Sequence, residues 1–212
     1  MTRHAAALVL VAAMFSACAA FEGTELSSPE PGADAGGPSE PGPQADASSL
    51  DAARRPARAP ADAALAPNGH AYQVVVRQAV LTWKQAKVAA EDLGGHLATI
   101  TDADEQAFVR DLLRAGRATY YVVDGERRMG PWLGGTQVPD ASEPGGGWSW
   151  ITGEPWGYTH WRAGEPNNGG TGSFWNEASL YYFFAAKDEF GDEWADGTDI
   201  EGIKSFVVEW EP

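Results

Sequence analysis

All nine tryptophans of this chain lie between residues 83 and 210. Each tryptophan can bury roughly 150–250 Å² when a chain folds, so this stretch can form a core of its own. The only cysteine, Cys18, lies far upstream, and the stretch therefore contains no disulfide. We expect one domain that is stabilised by aromatic packing. The missing thiols also exclude a cysteine nucleophile and a thiolate-bound metal from this domain.

The first residues have the pattern of an export signal. Arg3 precedes an apolar run from Ala5 to Phe15, which has the length of a signal and is too short to span a membrane as a helix. Cys18 follows directly, and its setting resembles a bacterial lipobox, in which the cysteine becomes the lipidated first residue. We predict an exported lipoprotein of the bacterial cell envelope that contacts the membrane through its lipid anchor only. Ordinary cleavage near residues 17–20, which would give a secreted protein, is the alternative.

The segment after Cys18 has the composition of a tether. Residues 19–66 are rich in Ala, Pro, Gly, Ser and Asp and almost lack aromatic and β-branched side chains. Such a segment buries too little surface to offset its chain entropy, which predicts disorder. We therefore divide the chain into a signal peptide at 1–17, a lipidated N-terminus with a disordered linker at 18–66, and a folded domain at 67–212.

The charge of the chain limits its partners. The formal net charge is −15 at pH 7. A strongly acidic surface repels the phosphate backbone of nucleic acids, so we expect no nucleic-acid partner. Divalent cations and neutral ligands remain compatible with this charge.

Two helices and two paired strands are expected in the domain. β-branched residues at 72–76 predict an opening strand, and residues 206–210 predict a closing strand that pairs with it. Thr82 is the expected N-cap of a first helix, which Gly94 ends. A second helix should begin after Thr101. Its expected apolar stripe consists of Ala107, Phe108 and Leu112.

The segment from residue 134 to about 190 is expected to be largely loop. Gly, Pro and Asn interrupt it repeatedly, and it is long for an irregular stretch within a compact domain. Loops of this length more often carry a binding site or a bound metal than none, because functional residues concentrate on loops. This segment is therefore the expected location of ligand-binding side chains.

The tripeptide Glu165-Pro166-Asn167 is the main candidate in the loop. A carboxylate and a carboxamide on either side of a proline are two hard oxygen ligands, which suits Ca²⁺. If the Glu165-Pro166 bond is cis, both side chains can point to one spot. Ca²⁺ takes about six to eight oxygens, so Glu177 and Asp196 are candidates to complete the shell. The tripeptide alone is also a common surface turn.

A series of short motifs carries a family resemblance. The motifs occupy residues 94–100, 132–135, 148–150, 153–155, 161, 165–167, 194–196 and 206–210. In this order and spacing they resemble the C-type lectin-like domain family over about residues 69–212. The resemblance implies an α+β fold with two helices, small antiparallel sheets and a long Ca²⁺-binding loop region. It also implies a non-enzymatic carbohydrate-binding module, and a Glu-Pro-Asn triplet is similar to the mannose-type version.

The resemblance also implies roles for individual residues. The implied Ca²⁺ ligands are Glu165, Asn167, Glu177 and Asp196. Glu165, Asn167 and Glu177 would also hydrogen-bond the vicinal hydroxyls of a mannose-type glycan. Two aromatic residues of the same loop, Trp161 and Tyr158, either stack on the sugar or pack the loop. Trp132, Trp150, Trp194 and Trp210 are expected in the core.

Ala195 departs from the family pattern, which has an asparagine at this position. One Ca²⁺ ligand and one sugar contact are therefore missing, although Asp192, Glu193 or Asp199 are candidate substitutes. The departure keeps a second hypothesis open, in which the domain has lost sugar binding and binds a protein ligand instead.

A third hypothesis is a glycoside hydrolase that uses Glu165 and Glu177, because two carboxylates can cleave a glycosidic bond. A hydrophilic loop does not favour the raised pKa that a general acid needs, so we predict that the protein is not an enzyme. His70 and His160 have no partners at metal-ligand spacing and are expected on the surface.

Overall fold

The computed structural model describes residues 51–52, 54–115, 121–123, 127–139, 142–169, 176–184, 191–199 and 203–212. These residues all belong to one compact unit, residues 44–212. The expected signal peptide, Cys18 and most of the expected linker lie outside the described residues. Within the described ranges, no helix is both long enough and apolar enough to cross a membrane.

The described residues form two helices and nine strands. In chain order these are β1 (Ala64–Leu65), β2 (Ala71–Leu81), α1 (Trp83–Asp92), β3 (His96–Leu97), α2 (Ala103–Ala115), β4 (Tyr121–Val123), β5 (Arg127–Gln137), β6 (Trp148–Trp150), β7 (Ser179–Phe184), β8 (Glu193–Gly197) and β9 (Ile203–Trp210). Strands β6 and β7 interrupt the segment that was expected to be largely loop.

The described strands join in one mixed sheet, where the resemblance had implied several small ones. Its main order is β1-β2-β9-β5-β7-β8, with β3 paired to β9 and with β4 and β6 paired to β5. The predicted pairing of the opening and closing strands is confirmed, because β2 runs antiparallel to β9 with Ala71 opposite Trp210. The β5–β9 pair is parallel and places Trp132 opposite Phe206 in the middle of the sheet.

The first helix begins and ends where the sequence predicts. The Gln85 amide donates to the Thr82 hydroxyl at 3.1 Å, and the Thr82 amide donates to the Gln85 side chain at 2.9 Å. This reciprocal pair is a capping box, which satisfies two backbone donors at the start of α1. The helix stops before Gly94, whose φ of 82° few other residues adopt. On its buried face, the Trp83 indole donates to the Leu133 carbonyl at 2.7 Å.

The predicted stripe of the second helix is wrong. Asp102 caps α2 by accepting from the amides of Asp104 and Glu105, both at 2.9 Å. The side chains that α2 buries are Glu105, Gln106, Val109 and Leu113. The predicted stripe of Ala107, Phe108 and Leu112 is only partly buried. Two of the four buried positions are polar, which hides this face from a search for apolar periodicity.

Gln106 is buried because it satisfies three partners in the core. Its Oε1 atom accepts from the Tyr182 hydroxyl at 3.0 Å and from the Trp194 indole at 3.1 Å. Its Nε2 atom donates to the Asp192 carbonyl at 2.8 Å. Burying an amide costs little free energy when its hydrogen bonds are made. Helix α2 therefore tolerates a polar residue on its inner face.

The domain begins earlier than residue 67. Residues 54–66, which were assigned to the disordered linker, pack on the domain, and β1 pairs with β2. The Arg55 guanidinium donates to the carbonyls of Pro60 and Ala63, at 3.0 and 2.7 Å. Ala63 and Ala66 are buried. The segment packs on the domain through small alanine side chains, without an aromatic anchor. A prediction from composition misses such packing.

Five tryptophans, Trp148, Trp150, Trp156, Trp161 and Trp194, form a group that we call the tryptophan cluster. The ring centroids of Trp150 and Trp156 lie 4.5 Å apart, and those of Trp148 and Trp161 lie 4.9 Å apart. Trp194 lies at the centre, 5.6 Å from Trp150 and 6.0 Å from Trp161. Trp132, Trp150, Trp194 and Trp210 are all buried, as predicted. The cluster fixes the loop after β6 to the sheet.

Candidate metal centre

Backbone contacts attach the loop that carries Glu165 to strand β8. The Trp194 amide donates to the His160 carbonyl at 2.8 Å, and the Arg162 amide donates to the Trp194 carbonyl at 2.9 Å. The Glu165 amide then donates to the Arg162 carbonyl at 2.9 Å, which turns the chain after this short pairing. The loop thereby reaches Asp196, which lies two residues beyond Trp194 in β8.

Asp196 holds the two residues that follow Pro166. Its side chain is 4% exposed. One carboxylate oxygen accepts from the Asn167 amide at 3.0 Å, and the other accepts from the Asn168 amide at 2.8 Å. The Glu165-Pro166 bond is cis, the case that the sequence analysis had considered.

Glu177 binds the other side of the same loop. Its carboxylate accepts from the Gly169 amide at 2.6 Å, and its own amide donates to the Asn168 side chain at 3.0 Å. A Cβ atom at Gly169 would displace the carboxamide of Asn167, one of the candidate ligands. Residues far apart in the chain thus meet at the Glu-Pro-Asn tripeptide.

Glu165 is the residue whose environment most indicates a missing cation. Its Oε2 atom is shielded from solvent and has no hydrogen-bond partner in the described part of the chain. Burial raises the pKa of Glu165 to about 7, and a side-chain hydrogen bond with Asp196 and the charges of Asp196 and Glu177 act in the same direction. Arg162 opposes this rise in the pKa, but its guanidinium lies over the Phe183 ring, 4.4 Å from the ring centroid.

These observations fit the donor set that Ca²⁺ prefers. Glu165, Asn167, Glu177 and Asp196 lie on or beside one loop and offer hard oxygen atoms, but the carboxylate oxygens of Glu165, Glu177 and Asp196 do not all lie within 4.8 Å of one another. A buried carboxylate oxygen without a partner is costly, and a divalent cation would remove that cost. The expectation that a hydrophilic loop leaves Glu165 with an ordinary pKa is wrong, because the folded loop shields part of this side chain.

Ala195 contributes nothing to the centre. It is buried opposite Tyr181, on the β7–β8 pair. Two of its candidate substitutes are engaged elsewhere. Asp192 contacts Gln106 and His160, and Asp199 pairs with Lys84 at 2.8 Å. The ligand that the family pattern provides at this position is therefore not replaced by either carboxylate.

The two candidate sugar-stacking residues are also packing residues. Trp161 is half-buried in the tryptophan cluster. Tyr158 is half-buried too, with its ring centroid 5.8 Å from that of Trp194. Both contacts favour the packing alternative for these side chains, although each keeps part of its ring exposed.

The sequence analysis missed one polar cluster and misplaced one residue. His70 was expected on the surface, yet its Nδ1 atom lies 2.6 Å from the buried carboxylate of Glu209. The signal was present in the closing strand, where Glu209 follows three apolar residues and precedes a tryptophan. A glutamate within such a strand indicates a buried polar partner elsewhere in the fold.

Comparisons with known sequences find a matching family model for part of the chain. Residues 79–181 match the family model of the lectin C-type domain. The chain is 28% identical over 93 residues to C-type mannose receptor 2 of Mus musculus, covering 44% of this chain and 5% of the receptor. It is 32% identical over 88 residues to the type-2 ice-structuring protein of Brachyopsis segaliensis, covering 42% of each. The chain thus spans less than half the length of these relatives.

Solved structures with the same fold cover more of the chain. The carbohydrate-recognition domain of mouse scavenger receptor C-type lectin aligns with a TM-score of 0.52 and 25% identity, over 72% of this chain and 98% of that one. Herring type II antifreeze protein aligns with a TM-score of 0.51 and 21% identity, over 73% and 98%. The carbohydrate-recognition domain of cow CD23, solved with a GlcNAc2Man3 oligosaccharide, aligns with a TM-score of 0.50 and 22% identity, over 68% and 88%.

Proposed function

We propose that this chain, which has the α+β C-type lectin fold predicted from its sequence, is a non-enzymatic, Ca²⁺-dependent module that binds carbohydrate. The observation that carries the proposal is the shielded, unpartnered Oε2 atom of Glu165 beside Asp196 and Glu177. Glu165, Asn167, Glu177 and Asp196 would hold the ion. Burial is the largest cause of the raised pKa of Glu165 and the neighbouring Asp196 adds to it, so the shift does not require general-acid catalysis.

The expected ligand is a glycan with mannose-type vicinal hydroxyls. A bound Ca²⁺ supplies positive charge and open coordination positions for two neighbouring hydroxyls. Asn167 is exposed and offers both donor and acceptor groups for those hydroxyls. The similar proteins include a mannose receptor and a domain solved with an oligosaccharide, which supports this ligand class.

A single such site is expected to bind weakly. Few atoms of a sugar are buried at an open loop, and each hydroxyl exchanges one hydrogen bond with water for another. Several copies tethered on one surface would bind a multivalent glycan more tightly through their effective concentration. The assay for binding therefore has to present the sugar at high density.

Ala195 supports the second candidate, a protein-interaction module that has lost sugar binding. Its buried methyl group offers neither a metal ligand nor a sugar contact. The same fold also occurs in an antifreeze protein, so the fold itself does not select a sugar ligand. The two candidates differ in one property, because only the first requires free mannose to compete for the bound ligand.

The test compares the full chain with two single variants on an array of mannose-type glycans. We expect binding of the unchanged chain in Ca²⁺, none in EDTA, and none for Glu165→Ala. Asp92→Ala is the control, because Asp92 is an exposed acid at the end of α1, outside the candidate ligand set, and its loss should leave binding unchanged. A rise in melting temperature with Ca²⁺ but a blank array would favour the protein-binding candidate. No thermal response to Ca²⁺ at all would contradict both the metal centre and the sugar proposal.

The proposal also includes export and anchoring. Cys18 is the expected lipidation site of a bacterial envelope lipoprotein, and the tether ends before residue 54, where packing on the domain begins. We expect the mature chain to partition into the detergent phase of a phase-separation assay with Triton X-114. Cys18→Ser should move it to the aqueous phase. An unchanged distribution in the variant would remove the lipid anchor and leave the secreted alternative.

A further inference from the structure

A buried polar cluster lies in the domain away from the candidate metal centre. It contains two carboxylates, Glu209 on β9 and Glu105 on α2, which are 0% and 6% exposed. The basic side chain beside both carboxylates is His70, at the end of the turn before β2. Its Nδ1 atom lies 2.6 Å from Glu209 Oε1 and 3.8 Å from Glu105 Oε1. The cluster therefore joins the first long strand, the second helix and the closing strand.

The cluster contains fewer hydrogens than its short contacts require. The Tyr72 hydroxyl lies 3.0 Å from both Glu105 Oε1 and Glu209 Oε1, but it has one hydrogen and can serve only one of them at a time. The Thr99 hydroxyl lies 2.6 Å from Glu154 and 3.1 Å from Glu209, again with one hydrogen for two carboxylates. Each of these two hydroxyls therefore serves one of two neighbouring carboxylates at a time.

Other neutral donors also serve the two buried carboxylates, and one of them is the Asn68 side-chain amide, which donates to Glu105 Oε1 at 2.9 Å. Glu209 Oε2 accepts from the Thr99 amide at 2.8 Å. Glu105 Oε2 accepts from the amide and hydroxyl of Thr101, at 2.7 and 2.8 Å. Charged carboxylates at this depth are stable only with a compensating positive charge or proton. The geometry offers that role to the imidazole of His70.

We propose that His70 is protonated at neutral pH and acts as the internal counter-ion of Glu209 and Glu105, so that one proton holds β2, α2 and β9 together. Both ring nitrogens of an imidazolium are donors, and Nδ1 then donates to Glu209 at 2.6 Å, a short contact of the kind that an ionised donor and acceptor favour. Nothing in this role involves the Ca²⁺ proposal, and either can fail without the other.

The electrostatics of the surroundings agree with the geometry. The hydrogen bond to Glu209 raises the pKa of His70, partial burial opposes this rise, and the charges of Glu209, Glu105 and Glu211 add to it. His96 is a further ionisable neighbour, with its Nδ1 atom 4.0 Å from Glu209. Burial raises the pKa of Tyr72, so its hydroxyl stays neutral and remains a donor.

The direction of the pH effect follows from this shift. The unfolded chain gives His70 its ordinary pKa of about 6.5, and the folded domain raises that pKa. The stabilisation is therefore complete below about pH 6.5 and is lost as the pH rises through the pKa of the folded state. We expect the free energy of unfolding to be highest in mildly acidic solution and to fall in mildly alkaline solution.

The experiment measures urea unfolding of the full chain between pH 6 and 9, with EDTA present so that no bound metal contributes. We expect the midpoint to fall with rising pH, and each unit by which the folded domain raises the pKa of His70 should change the unfolding equilibrium constant tenfold over the window. His70→Gln keeps a neutral donor and removes the charge, so its midpoint should lack this dependence. His160→Gln is the control and should follow the unchanged chain.

Proton NMR of the imidazole rings supplies a readout that a purely structural role would not move. We expect His70 to titrate above pH 6.5, and we expect Glu209→Gln to lower its titration midpoint. If Glu209→Gln does not fold, the titration of the unchanged chain and the urea curves of His70→Gln still test the proposal. Titration of His70 at or below pH 6.5, or an unchanged pH dependence in His70→Gln, would overturn the proposal.

Discussion

Replacing Trp194 by alanine should lower the free energy of unfolding by about 3–5 kcal/mol, the usual cost of emptying a large aromatic site in a core. Trp194 is 0% exposed. Its ring contacts five other aromatic rings with centroid distances of 5.6–6.5 Å: those of Trp150, Trp156, Tyr158, His160 and Trp161. Because domains are stable by only about 5–15 kcal/mol in total, this variant should be largely unfolded at moderate urea concentrations.

Part of the stability lost in Trp194→Ala comes from a hydrogen bond. The Trp194 indole donates to Gln106, and the alanine variant leaves the buried carbonyl of Gln106 with one donor fewer. Trp194→Phe refills most of the space without the indole N–H, so it should cost less than the alanine variant. Trp156→Ala, at a half-buried position of the same cluster, is the matched control and should also cost less. Urea unfolding followed by far-UV circular dichroism measures all three. A loss below about 1.5 kcal/mol for Trp194→Ala would show that the tryptophan cluster is not the central support described above.

Replacing Asp196 by alanine should abolish the stabilisation by Ca²⁺. For a single site, Ca²⁺ at about 100 times its dissociation constant should add about 2.7 kcal/mol to the free energy of unfolding of the unchanged chain. The variant should gain nothing, because it lacks one ligand and also lacks the carboxylate that positions the amides of Asn167 and Asn168.

Thermal melts at several Ca²⁺ concentrations measure this effect. Asp92→Ala, at an exposed acid of α1 outside the candidate ligand set, should respond to Ca²⁺ like the unchanged chain. Asp196→Asn separates the two roles of the residue, since an amide oxygen can still accept one backbone hydrogen bond but brings no charge to the ion. A full Ca²⁺ response in Asp196→Ala would place the ion elsewhere or remove it from the proposal.

Local signals in the sequence predicted the elements whose stability is local. The capping box at Thr82, the glycine that ends α1 and the β-branched opening strand all lie within short windows, so propensity and patterning suffice for them. The prediction of the buried face of α2 failed because that face depends on distant partners. Glu105 and Gln106 are inside because of partners that the fold brings from residues 72 and 182, and no local window contains those partners.

The candidate site was predictable only in part. Glu165 and Asn167 could be proposed from the chemistry of their tripeptide, whereas the pairing of Asn167 with Asp196 required the family resemblance, because 29 residues separate them. The shielding of Glu165 could not be read from a hydrophilic sequence. It arises from the way Arg162 and Trp194 pair their backbones and bring the loop onto β8.

The tryptophan cluster has a consequence for the conditions under which the domain keeps its shape. Ring packing involves no electron transfer, and residues 54–212 contain no cysteine. Reducing agents and changes in glutathione poise therefore leave every contact that holds the folded domain untouched. A domain of this design keeps its loops in place equally well in an oxygenated medium and in an anaerobic one.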